Sequence, residues 1–168
     1  MSGFANAMEW LLKAEGGFVV DQGGPTFQGV TSKVYDAWRD KRSLPRRDVR
    51  QMQPDERDSI YHAEYWLASK CDALPWPASL IHFDAAVNSG PRQAVILLQR
   101  ALGVVVDGNF GPETARTASA VPRHILLNNM LWERAEFFAA LAEKPRHKAS
   151  FRGWINRVLA LRRRVRGG

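Results

Sequence analysis

Cysteine is nearly missing from the chain: Cys71 stands alone among 168 residues, which excludes an internal disulfide framework and a thiolate metal cluster. No uninterrupted apolar run approaches the roughly 20 residues needed to span a bilayer. The first twelve residues have no basic segment, and Glu9 interrupts their apolar stretch, so no secretory signal is expected there. His62, His82, His124 and His147 are scattered. His82-x-Asp84 alone is a poor metal site, and no metal or cofactor is expected. A phosphate-binding glycine loop and a Ser-centred elbow are also missing. What is present, 45% hydrophobic and 24% charged residues, is near globular averages and excludes disordered and fibrous classes. The length suits one compact domain, or one domain with a small appended lobe.

Acidic residues run out toward the C-terminus. Residues 1–90 carry 10 Lys+Arg against 12 Asp+Glu, net −2, whereas residues 91–168 carry 14 against 5, net +9. Beyond Glu143 no acid remains, while Lys144, Arg146, Lys148, Arg152, Arg157, Arg162, Arg163, Arg164 and Arg166 follow. This asymmetry points either to an anionic partner (nucleic acid, lipid head groups or an acidic polymer) or to a solvated helix face with a frayed tail. Few aromatics interleave with the basic run and no helix-turn-helix or zinc pattern accompanies it, which argues against nucleic acid.

Phe4, Ala7, Met8, Leu11 and Leu12 repeat at helical spacing, and Gly16-Gly17 ends that helix, leaving Glu15 at or just past its last turn. Residues 18–30, rich in glycine and β-formers, predict a short hairpin or an ordered loop. Thr31 or Ser32 is placed to cap a helix through Trp38, and Lys41–Arg47 reads as a surface connection. Pro54-Asp55-Glu56 begins a helix expected to reach about Ser69 and to bury Ile60, Ala63, Tyr65 or Trp66, and Leu67. Further helices are expected over Leu80–Val87, from Pro91 to Leu102 with Gly103 behind it, from Pro112, over 122–143 and over 149–165. Asp107-Gly108 marks a tight turn. The reading is mainly α, with seven or eight helices and one small β element after the first.

One stretch carries chemistry. Glu15-Gly16-Gly17-Phe18 is followed by Asp21-Gln22-Gly23-Gly24-Pro25-Thr26 and by Gly29-Val30-Thr31. A carboxylate thus stands where a helix meets a glycine-rich bend, and glycine lets a bulky substrate approach the backbone closely. The negative end of the helix dipole disfavours ionisation of Glu15, as suits a general acid. Asp21 can supply the second carboxylate of a glycosidase. The plainer alternative is a helix-end Glu with an ordinary glycine cap.

The order Glu-Gly-Gly-aromatic, Asp-x-Gly-Gly-x-Thr, Gly-Val-Thr resembles the N-terminal signature of glycoside hydrolase family 108, lysozyme-like N-acetylmuramidases of phages and bacteria. The likeness continues through Tyr65-Trp66, Phe83-Asp84-Ala85-Ala86-Val87-Asn88-Ser89-Gly90 and Leu98-Gln99-Arg100-Ala101-Leu102-Gly103. It extends to Asp107-Gly108-Asn109-Phe110-Gly111-Pro112-Glu113-Thr114, which looks like the accompanying peptidoglycan-binding region, and to Gly153-Trp154-Ile155-Asn156-Arg157.

The resemblance implies a lysozyme-like helical fold with a small β-hairpin after the first helix. It also implies a catalytic lobe over 1–90 and a helical peptidoglycan-binding lobe over 91–168, packed as one unit. Glu15 takes the role of the family's catalytic acid. Asp21 corresponds to the Asp before the Gly-Gly pair, although the family usually has a longer segment here with two Asp residues. Thr26, in preference to Thr31, would position the attacking water. Tyr65, Trp66, Asp84 and Asn88, with Thr31, are the candidate substrate contacts. A carboxyl separation of roughly 6.5 to 9.5 Å would imply inversion and roughly 5 Å retention.

The implied activity is cleavage of the β-1,4 bond between N-acetylmuramic acid and N-acetylglucosamine, as in a phage or prophage endolysin. Alternatives are a lytic transglycosylase or a non-catalytic peptidoglycan-binding protein. The expected protein is a monomer made in the bacterial cytoplasm and acting on the cell wall after release. Its partners would be peptidoglycan and, through a C-terminal helix in which Val158, Leu159 and Leu161 flank arginines, an anionic membrane or lipopolysaccharide surface.

Overall fold

A computed structural model describes residues 3–14, 19–21 and 24–167, with side chains described for all of these but 14, 19–21 and 24. The chain is mainly α and divides into two compact units, Met1–Glu64 and Tyr65–Gly168.

In the first unit, α1 (Gly3–Ala14) buries Ala7, Met8 and Leu11, the expected apolar stripe. A small antiparallel sheet follows in the order β1 (Val19–Asp21), β2 (Gly24–Phe27), β3 (Val30–Thr31), one strand more than a hairpin. The β2–β3 connection is two residues, Gln28 and Gly29, with φ of 48° and 79°. Positive φ at both central residues is what a type I′ hairpin turn requires. Glycine adopts it freely, whereas Gln28 is held there by tertiary bonds: Arg57 donates to its side-chain oxygen at 2.9 Å and the Tyr61 hydroxyl to its carbonyl at 2.9 Å.

Thr31 caps α2 (Ser32–Asp40), its hydroxyl accepting the Val34 N–H at 3.3 Å. Ser32 in turn donates to the Pro25 carbonyl at 3.1 Å, which ties α2 to β2. α3 (Pro54–Tyr61) opens with a Gln53/Glu56 capping box.

After Tyr61 the chain widens into a π turn, His62–Leu67, instead of continuing as α-helix. The extra residue in that turn rotates the following side chains relative to a regular helix. Trp66 therefore points inward, while Leu67 is 46% exposed and Ala63 lies on the surface, contrary to the regular-helix expectation.

The second unit is built from α4 (Ala78–Ser89), α5 (Pro91–Leu102), α6 (Pro112–Ala120), α7 (Arg123–Ala142) and α8 (Phe151–Arg166). α4 packs on α5 and α7, and α7 on α8. α4 is buried from Ala78 through Ala86 without the usual polar face, as befits the central helix of a bundle. Gly103 ends α5 with φ of 68°, a left-handed cap that glycine takes without strain.

Candidate active site

The candidate segment runs from the end of α1 into the small sheet. α1 ends at Ala14, so Glu15 is the next residue in the chain; Glu15 itself lies outside the described residues. Asp21 closes β1 in register with Gly24, its side chain also outside the described residues. Thr26 occupies the central strand, paired with Val19 on one side and Thr31 on the other. Residues directly opposite in a ladder share a face, so Thr26 and Thr31 are neighbours. Thr31 spends its hydroxyl on the α2 cap and is thereby assigned a structural bond.

The β2–β3 turn is tied to α3 by the Gln28 clamp, and α2 is tied to α3 by a charge cluster. Glu56, 12% exposed, accepts from the Tyr35 hydroxyl at 2.9 Å, from Arg39 at 2.6 Å and from Arg47, and takes the Gln53 N–H at 2.9 Å. Burial alone would raise the Glu56 pKa. The Gln53 N–H, Tyr35 and Arg47 outweigh it and hold the carboxyl below its ordinary 4.5.

The remaining candidate contacts belong to the second unit or its π turn. Trp66 is 2% exposed, donates its indole N–H to Asp72 at 2.7 Å and meets Phe83 edge-on at 5.4 Å. Asp84 is wholly buried between Arg134 of α7, at 2.5 Å, and Arg157 of α8, at 2.8 Å. These are contacts of packing and charge pairing within the second unit, and both side chains are buried. Tyr65, half-buried against Ala85, Ala86 and Ala94, and Asn88, exposed near the end of α4, do reach the surface. Asn88 also accepts from Arg134 at 3.5 Å.

Sequence reasoning foresaw neither arginine as a partner of Asp84. The available signal was Arg134 on the buried stripe Leu127, Leu131, Phe138 of α7, where a charge requires a hidden partner. The Gly153–Arg157 motif is likewise architectural: Trp154 stacks on Phe138 at 5.0 Å while Arg157 reaches Asp84.

The turn at Asp107 is a closed hydrogen-bonded unit. Buried Gln99 donates to the Asp107 carboxylate at 2.7 Å and to the Asn109 carbonyl at 3.0 Å, and accepts the Gly108 N–H at 2.8 Å. The Asn109 N–H and Gln99 hold the Asp107 pKa below the ordinary carboxylate value. Cys71 is buried and its thiol is pushed up to about 12 by burial, which makes it inert as a nucleophile. His82 is buried against the Ser69 carbonyl at 2.9 Å. Among the described residues no group of three His, Cys, Asp or Glu side chains could hold a metal ion, and no helix is long and apolar enough to cross a membrane.

On α8 the apolar residues Val158, Leu161 and Val165 are buried in the unit's interior, and Arg157 is engaged with Asp84. The membrane-facing amphipathic surface expected from Val158, Leu159 and Leu161 is therefore reduced to Leu159, 42% exposed, among Arg162, Arg163 and Arg166.

A helical protein with a short sheet directly behind its first helix, carrying a carboxylate and a threonine, has the architecture of a lysozyme-like glycoside hydrolase. The chain belongs to glycosyl hydrolase family 108: that family's model matches residues 8–90, and the Predicted Peptidoglycan domain model matches residues 93–159. Among solved structures it is similar to SagA of Brucella abortus, with 30% identity and a TM-score of 0.84, over 98% of this chain and 94% of that one. No curated protein matches. The family and the adjoining peptidoglycan domain make this a glycoside hydrolase acting on peptidoglycan.

Proposed function

We propose that the chain hydrolyses the β-1,4 bond between N-acetylmuramic acid and N-acetylglucosamine, with Glu15 as the proton donor. The observation that supports this most is the chain order at the end of α1: Glu15 follows Ala14 directly, and the strands bearing Asp21 and Thr26 come next, all within the hydrolase match. Glu15 gives its proton to the glycosidic oxygen as the bond to the anomeric carbon breaks. Asp21 stabilises the positive charge that develops and accepts a proton from the attacking water, whose oxygen joins that carbon. The Thr26 hydroxyl orients this water. A Glu that serves as acid near neutral pH needs a partly desolvated site.

The role we favour is that of a phage or prophage endolysin, made in the bacterial cytoplasm and acting on the wall after release. Arg162, Arg163 and Arg166, around Leu159, give α8 an electrostatic attraction for anionic cell-surface polymers or lipid. Exchanging these three arginines for glutamine should weaken binding to anionic liposomes; unchanged binding removes this part of the reading. Bond specificity is tested by the reducing ends of digested peptidoglycan: muramic acid ends support the proposal, and glucosamine ends contradict it.

A further inference from the structure

In the second unit an open cleft of about 490 Å³ lies where residue Lys70, the start of α5 and the Gly108–Phe110 turn come together. That volume falls in the range of small-ligand sites, roughly 300–1,000 Å³. Its lining includes two cations, Lys70 and Arg92, the Asn109 amide, and an apolar wall from Val95 and Phe110, but no carboxylate.

The cleft is held in shape. Gln99 fixes the Asp107–Asn109 backbone from beneath, and the Phe110 ring lies 6.2 Å from that of buried His82. Arg92 lies across Gly108 so closely that a Cβ there would stand 3.1 Å from its Cγ and Nε, and Gly108 itself has φ of +75°. One guanidinium nitrogen, Nη2, donates to the Asp107 carbonyl at 3.2 Å. The carboxylate of Asp107 is taken up by Gln99 and by the Asn109 N–H, at 2.7 and 2.8 Å. Across the cleft Lys70 keeps a left-handed backbone, φ of 60°, which few residues other than glycine adopt.

We infer that this cleft is a carboxylate subsite for the peptide-bearing part of peptidoglycan, Arg92 and Lys70 binding a stem-peptide carboxylate while Phe110 and Val95 carry the apolar groups beside it. A planar guanidinium with one edge anchored presents its remaining N–H groups as a fork that fits a carboxylate. The apolar wall alongside suits an anion attached to alkyl groups better than a bare phosphate. Val95 and Gly108–Phe110 belong to the segment matched by the peptidoglycan domain, whereas Lys70 belongs to the hydrolase match. The inference rests on the peptidoglycan reading.

The test uses the full chain carrying Glu15→Gln, to suppress turnover, titrated with a purified disaccharide-tetrapeptide. Amide shifts at Lys70 and Gly108–Phe110 are expected. An additional Arg92→Ala should weaken binding about tenfold, the usual scale for one charge-assisted hydrogen bond. Lys70→Ala should weaken it as well, as should amidation of the fragment's carboxylates. Arg92 is exposed, so its replacement spares the core, and Gly108→Ala offers a second disturbance from the opposite wall. Shifts confined to other residues, parent-like binding by both Arg92→Ala and Lys70→Ala, or displacement by inorganic phosphate more readily than by a free peptide carboxylate would each overturn the inference. Cleavage by wild type alongside such unaffected variants would overturn it while leaving the hydrolase reading intact. Neither cleavage nor retention on peptidoglycan would overturn both.

Discussion

Asp84 and Arg134 form an ion pair across α4 and α7 with 2.5 Å between charged atoms and side chains 0% and 2% exposed. Arg157 joins it from α8. Asp84 lies in the segment matched by the hydrolase family and both arginines in the segment matched by the peptidoglycan domain. One carboxylate therefore binds the last helix of the first segment to two helices of the second, and the second compact unit contains all three.

Removing that carboxylate strands two guanidiniums in a low-dielectric interior. Asp84→Ala should cost about 3–5 kcal/mol, the usual penalty for breaking a buried pair by deleting one partner. For a chain of this size that corresponds to roughly 10 °C in melting temperature. Calorimetry checks this, and a loss below about 1 kcal/mol would contradict the pairing.

The cluster around Glu56 makes the first unit sensitive to acid. A carboxyl whose folded pKa lies below 4.5 stabilises the fold above that pH, and the contribution is lost as pH falls through the lower, folded value. Glu56→Gln should remove this dependence and leave Arg39, 6% exposed, without its anionic partner. The expected result is a lower melting temperature at pH 7 with a flatter profile below pH 4.5. A profile parallel to that of wild type would count against the cluster.

His82 adds a dependence in a higher window. Burial pushes its pKa down to about 4 from an ordinary 6.5, helped by the Arg134 charge. The unfolded chain thus takes up a proton between pH 6.5 and 4 while the folded chain does not, so stability declines as pH falls through that range. The full effect is roughly 3 kcal/mol. His82→Gln should flatten the slope between pH 6.5 and 4.5, above the range in which Glu56 acts, as urea unfolding at several pH values would reveal.

Thr26 and Thr31 are ladder partners with different assignments, and exchanging each for valine separates them. Thr31→Val loses a helix cap, worth about 1 kcal/mol, and should lower stability while leaving turnover per folded molecule close to wild type. Thr26→Val should lower turnover per folded molecule about a hundredfold, as expected if its hydroxyl orients the water. Thermal melts read beside a peptidoglycan-release assay distinguish the two, and identical effects on both would contradict the assignment.

Periodicity and punctuation made most of the helices legible: Pro54, Pro91 and Pro112 stand at helix starts, and Gly103 stands at a helix end. The π turn was hidden because Tyr65-Trp66 fits a regular helix equally well, and nothing local in the sequence announces an inserted residue. The third strand was obscured by its length, two residues, and by its dependence on Arg57 and Tyr61, 29 and 33 positions away from Gln28. For the site, motif order singled out Glu15, Asp21 and Thr26 as one group and named Asp84 and Trp66 as substrate contacts, whereas the structure buries both of the latter. A motif does not distinguish residues kept for chemistry from residues kept for packing. Long-range partners make that distinction, and Arg134 lies 50 positions from Asp84.

The most direct test of the account is clearing of purified peptidoglycan by wild type and by Glu15→Gln, with mass spectrometry of the released fragments. Wild type should release reducing muramic acid ends, and the variant should be slower by at least about a hundredfold, as expected when a general acid is removed. Equal rates for the two proteins, or anhydro-muramic ends from wild type, would contradict it.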